Sequence, residues 1–155
     1  MYAVNIKSQV TRLMTGYKAP GFELPDKDSN LISLDKLTGN YIYLGFCNSY
    51  SYQCIKEFEL LRVLHARHKD HLKILTIITD NDLQGLKELV ETNRYEWTFL
   101  HYGMQGGVMK DYDAAAQPAY YLIGPDGKLI LSPAPGPGEN FEYHLFQIMR
   151  SRGDI

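Results

Sequence analysis

Ser51-Tyr52-Gln53-Cys54 joins an apolar run, Tyr41 to Phe46, to a segment of helical periodicity, and six residues separate Cys47 from Cys54. A thiol in the first turn of a helix is a candidate nucleophile, because unsatisfied backbone N–H groups and the helix dipole favour its thiolate. Cys54 holds that position; the alternative is a small apolar core residue. Ser51 is a weak nucleophile, since an alcohol ionises far above neutral pH unless a base touches it, and no local motif supplies one. It is expected to cap the helix or to donate a hydrogen bond to Cys54. A disulfide between Cys47 and Cys54 requires Cα atoms within about 7 Å. The strand end and the first helical turn are neighbours, so the face to which Cys47 points decides between a bridge and plain core filling.

The 155 residues, 45% hydrophobic and 22% charged, are enough to bury one core. A formal net charge of -2 leaves no electrostatic footprint for nucleic acid, and no apolar stretch reaches the length of a membrane span. Two cysteines are too few for a disulfide framework or a structural zinc site. His65, His68 and His71 fit a helix end, where cations complement the dipole, so neither metal nor cofactor is expected. The N-terminus shows no charged segment followed by an apolar run, hence no signal peptide in this chain. Compartment and oligomeric state are not readable from composition.

Residues 1–16 are expected as an N-terminal extension forming a short amphipathic helix (Val4, Ile6, Val10, Leu13, Met14), and residues 17–155 as a single domain. The polar turn Lys27-Asp28-Ser29-Asn30 predicts a small hairpin, followed by one helical turn near Leu37. Tyr41–Phe46 reads as a strand covered on both faces. From Ser51 to His68 the apolar set Ile55, Phe58, Leu61 and Leu64 predicts a helix with Lys56, Glu57 and Arg62 outward. Lys73–Ile78 is a second buried strand, and Asn81 or Asp80 is expected to cap a helix carrying Leu83, Leu86 and Val90. Trp97–Leu100 is an edge segment, Gly106–Tyr112 a brief helix, and Gly124-Pro125-Asp126-Gly127 a hairpin turn. A connector rich in proline and glycine precedes a terminal helix built on Phe141, Leu145, Ile148 and Met149.

This order resembles a thioredoxin-like fold: an α/β domain with a central mixed sheet flanked by helices on both faces. More narrowly it is similar to the extracytoplasmic thiol-disulfide oxidoreductases of the ResA/TlpA type. The resemblance rests on Ala19-Pro20-x-Phe22-x-Leu24-Pro25, on Phe46 to Cys54 with Lys56-Glu57-Phe58, and on Gln117-Pro118-Ala119-Tyr120 followed by Gly124-Pro125-Asp126-Gly127-Lys128. It implies that Ser51 stands where the family carries the attacking cysteine of Cys-x-x-Cys, and Cys47 where a tryptophan is usual. Gly45 then stands where thioredoxins hold a buried acid. A dithiol swaps disulfides by attack with one thiolate and resolution with the other, so Ser51 implies impaired dithiol exchange.

The resemblance further implies a cis-proline at Pro118 and a peptide-binding surface of Tyr50, Tyr52, Gln53, Gln117, Pro118 and Ala119 around Ser51, Cys54 and Cys47. Tyr50, Tyr52, Tyr120 and Tyr121 are expected to cluster around that surface, either as a peptide-contact patch or as core and edge packing. The implied partners are protein or peptide thiols and disulfides, in a periplasmic or otherwise extracytoplasmic setting. Ser51-x-x-Cys54 with Glu57 also resembles the peroxidatic segment of peroxiredoxins, which keeps a peroxidase reading open. A non-catalytic binding domain needs only the groove.

Overall fold

The computed structural model describes residues 13–103 and 106–155. The helix expected over residues 1–16 lies outside the described residues up to position 12. From Thr15 onward the chain runs along the last strand of the sheet, Gly16 N–H donating to Leu129 O at 2.8 Å. The first hairpin pairs β1 (Glu23–Pro25) with β2 (Leu31–Ser33). Asp26 organises its turn, the carboxylate accepting from the N–H groups of Asp28 and Asn30 at 2.9 and 3.0 Å. A 3-10 turn over Leu34–Leu37 then tucks Leu34 under the main sheet.

That sheet is built on β3 (Tyr41–Cys47), whose seven residues are all buried. β3 pairs in parallel with β4 (Leu72–Ile78), and β4 in parallel with β5 (Thr98–His101). On its other side β3 pairs antiparallel with β6 (Ala119–Ile123), which is joined by a hairpin to β7 (Leu129–Leu131). The order β5-β4-β3-β6-β7 makes a mixed sheet with β3 at its centre. The parallel pairs are connected by α1 (Tyr52–His68) and α2 (Leu83–Asn93); α3 (Gly107–Asp111) and α4 (Phe141–Ser151) complete the helices.

Alternation along β3 sorts the core into two layers. Tyr41, Tyr43 and Cys47 face Phe58, Leu61 and Leu64 of α1 and Phe141, Leu145 and Met149 of α4. Ile42, Leu44 and Phe46 face the opposite layer, with Leu24, Leu34, Val108 and Tyr112. Trp97 and Thr76 pair inside the core, Trp97 Nε1 donating to Thr76 Oγ1 at 2.9 Å. Three expectations are corrected. Asp82, not Asn81 or Asp80, caps α2, its carboxylate accepting from Gly85 N–H at 2.8 Å, because Asp82 has the extended backbone a cap requires while Asn81 has φ 62°. Glu57 is not outward but buried at 8% exposure. Tyr120 and Tyr121 do not join Tyr50 and Tyr52 at an exposed surface: both are buried, Tyr120 in the layer beneath α1 and Tyr121 in the opposite one.

Candidate functional site

The strand-to-helix turn is held from below. Ser49 donates its backbone N–H to Asp80 Oδ1 at 2.8 Å and its hydroxyl to Asp80 Oδ2, so the end of β4 carries the loop that leaves β3. Asn48 Oδ1 accepts from Tyr50 N–H at 3.1 Å and tightens the same turn. Ser51 has extended dihedrals and caps α1, its Oγ accepting the backbone N–H of Cys54 at 3.2 Å. Cys54, the third residue of α1, therefore begins the helix with its sulfur under the loop.

Cys47 and Cys54 are both free thiols and fully buried. Cys47 points to the α1 face of β3 and shares with Cys54 the buried layer beneath α1. Hydrogen bonding from the Cys47 thiol is the leading cause that brings the Cys54 thiol down to about 7; the backbone N–H of Asn48 and the Ser51 hydroxyl add to it, against burial and the nearby charge of Glu57. The proton the pair retains sits on Cys47, pushed up by its bond to Cys54 and by burial. Cys54 is the more acidic partner because only it has the loop N–H and the helix start behind it.

Glu57 lies one turn further along α1. Its carboxylate accepts from the Tyr120 hydroxyl at 2.6 Å and from the Gln53 side chain, which removes much of the cost of burying a charge there. Tyr120 also shares the buried cluster of the Cys47 thiol, and burial pushes its own hydroxyl proton up. The Tyr120 ring occupies the space beside Gly45: a Cβ there would stand 2.8 Å from Tyr120 Cε1. An acidic side chain at position 45 has no room, and the carboxylate nearest the thiols comes from α1 instead.

Glu57 and Tyr120 form part of the wall of a cavity of about 370 Å³, with Pro118, Ala119, Pro133 and Glu139 among its other walls. The Gln117–Pro118 and Ser132–Pro133 peptides are both cis. Gln117 turns its amide inward: Oε1 accepts from Thr79 Oγ1 at 2.8 Å and from Asn48 Nδ2 at 3.4 Å, and Nε2 donates to Ala114 O at 3.0 Å. It thus ties the proline loop to the loop before α1. Tyr50 and Tyr52 stand 80% and 82% exposed beside Ser51. The structure accordingly brings together Cys47, Cys54 and Ser51, sets Pro118 and Ala119 on the cavity wall, links Gln53 to Glu57, and leaves Tyr50 and Tyr52 facing solvent.

Sequence reasoning missed Asn48 and Asp80 as parts of this site, and named Tyr120 only within a tyrosine cluster and Glu57 only within the peroxidatic resemblance. Only Glu57, three residues after Cys54 and so on the same helical face, carried a local signal. The histidines are used elsewhere: His68 Nε2 meets Glu142 Oε2 at 2.6 Å and joins the end of α1 to α4, and the described residues contain no cluster able to hold a metal.

Residues 15–132 match the AhpC/TSA family. The thiol-disulfide oxidoreductase ResA of Bacillus cereus is 26% identical over 125 residues, covering 79% of this chain and 71% of its own length. ResA of Bacillus thuringiensis is 26% identical over 121 residues, covering 77% of this chain and 69% of its own. Among solved structures, the thioredoxin domain of a thiol-disulfide oxidoreductase from Bacteroides vulgatus superposes with a TM-score of 0.77 at 22% identity, covering 86% of this chain and 97% of that one. A thiol:disulfide interchange protein from a Bacteroides species does so with a TM-score of 0.72 at 24% identity, covering 88% and 90%. A mixed sheet of thioredoxin-like order, a thiol at the start of its first long helix and these relatives agree: the chain belongs to the AhpC/TSA family, as a thioredoxin-like protein of the ResA/TlpA type.

Proposed function

We propose that this protein performs thiol chemistry at Cys54 on protein or peptide thiols and disulfides, in a site where Ser51 has closed the usual Cys-x-x-Cys route. The observation that carries the reading is the placement of Cys54 in the first turn of α1 behind the Ser51 cap, where hydrogen bonding from Cys47, the Asn48 N–H and Ser51 lowers its thiol to about 7 and favours the thiolate near neutral pH. Ser51 acts as helix cap and hydrogen-bond donor. Tyr50, Tyr52 and Gln53 on one side, with Gln117, Pro118 and Ala119 on the other, form the peptide-binding surface, on which an extended chain can pair with backbone groups beside the proline. The reading implies work outside the cytoplasm, where disulfides persist.

The sulfur of Cys54 is covered in the resting structure. A substrate must therefore displace the 48–51 loop, and a small reagent reaches the thiol before a peptide does. The peroxidase alternative is not supported by the surroundings, since the charged groups lining the cavity are Glu57, Asp113 and Glu139, which oppose a peroxide-activating positive field. The test is alkylation of the native protein with iodoacetamide across pH, the label located by mass spectrometry. The expected result is Cys54 labelling with a midpoint near pH 7, the value its surroundings set. Cys54 unlabelled at every non-denaturing pH would leave only a binding domain.

A further inference from the structure

The chain holds two thiols, and the proposed chemistry uses one. Cys47 ends β3 on the face that α1 covers, Cys54 opens α1 above it, and both thiols lie fully buried in the same core cluster. A strand end and the first turn of the helix that follows it are neighbours, the placement a disulfide requires. We propose that Cys47 is the resolving thiol of a relocated dithiol, so that a mixed disulfide on Cys54 collapses to an internal Cys47–Cys54 disulfide. The assignment rests on Cys54 being the attacking thiol.

The steps balance. The Cys54 thiolate attacks one sulfur of a peptide disulfide; the bond from Cys54 to substrate forms, the substrate S–S bond breaks, and the departing sulfur leaves as a thiolate that takes a proton from water. Cys47 then gives up its proton and attacks Cys54 Sγ. The internal disulfide forms, the mixed disulfide breaks, and the second substrate sulfur leaves as thiolate. The substrate has gained two electrons and the protein pair has lost two. A dithiol peptide or dithiol protein reverses the exchange and restores the reduced pair.

Two features of the site fit the second step. The bond to the Cys54 thiolate, which is the leading cause holding the proton on Cys47, vanishes once Cys54 is in a mixed disulfide. The proton has a route, because Tyr120, in the same buried cluster as Cys47, is hydrogen-bonded at 2.6 Å to the Glu57 carboxylate on the cavity wall. Ser51 supplies no sulfur, and in this arrangement none is required from it.

The experiment exposes the reduced protein to oxidised glutathione, quenches with acid, alkylates after unfolding and digests with trypsin. Both cysteines fall in the single peptide between Lys36 and Lys56. The expected product is that peptide unalkylated and lighter by two hydrogens than its reduced form. Cys47→Ser should instead stop at the Cys54–glutathione adduct, and Cys47→Ala should do the same, which guards against a folding defect peculiar to one variant. A wild-type protein that stops at the Cys54 adduct with Cys47 still alkylatable overturns the resolving role while leaving Cys54 reactive. Wild-type protein with neither thiol modified overturns this assignment together with the reading beneath it.

Discussion

Ser51 does two jobs with one oxygen: it accepts the Cys54 backbone N–H and donates its hydroxyl proton toward the Cys54 sulfur. Replacing it separates structure from chemistry. Ser51→Ala should lower stability by about 1 kcal/mol through the lost cap and move the midpoint of Cys54 alkylation upward, because one of the donors to the thiolate is gone. Unfolding in urea and the pH profile of labelling read the two effects separately. A profile unchanged by the substitution would show that the loop N–H and Cys47 set the thiol alone. The capping role of Ser51 could be read from sequence, since residue type and position before a helix suffice. The burial of Glu57 could not, because an acid is placed outward by default and the Tyr120 hydroxyl that, with Gln53, makes its burial tolerable comes from a distant strand.

At the scale of elements, β3 carries the site because its alternation puts Cys47 and Gly45 on the α1 face while Phe46 fills the other layer. Gly45 is needed for the ring beside it. A methyl group at this position would meet Tyr120 Cε1 at 2.8 Å, and that ring, stacked on Tyr43 with 5.0 Å between centroids, has little space to retreat. Gly45→Ala should therefore cost about 1–3 kcal/mol in urea unfolding and disturb the contact between Tyr120 and Glu57. If stability is unchanged, the ring is freer than its packing implies. The order of strands and helices was legible because each is a continuous apolar run or a helical stripe of the right length. The cap of α2 was assigned to a neighbour of Asp82, as three polar residues in a row offer the same side-chain chemistry and only the backbone dihedrals distinguish them.

Across the whole molecule, three rings connect the terminal helix to the thiols. Phe141 stacks on Tyr43 with centroids 3.7 Å apart, and Tyr43 stacks in turn on Tyr120, which is hydrogen-bonded to Glu57 and shares the buried cluster of Cys47. The stack joins α4, β3 and β6, elements far apart in sequence, and no periodicity within any one of them announces it. Phe141 was visible as the first apolar residue of an amphipathic helix; its partner was not. Phe141→Ala removes a fully buried ring and should destabilise the fold by about 3–5 kcal/mol. Its second consequence is local to the site: with Tyr43 unsupported, Tyr120 loses the surface that presses it toward Cys47. Cys47, which should resist alkylation in the folded wild-type protein, is then expected to become labelled under conditions where far-ultraviolet circular dichroism still reports a folded chain. Labelling of Cys47 that appears only in step with global unfolding would mean that the stack holds the fold without guarding the thiol.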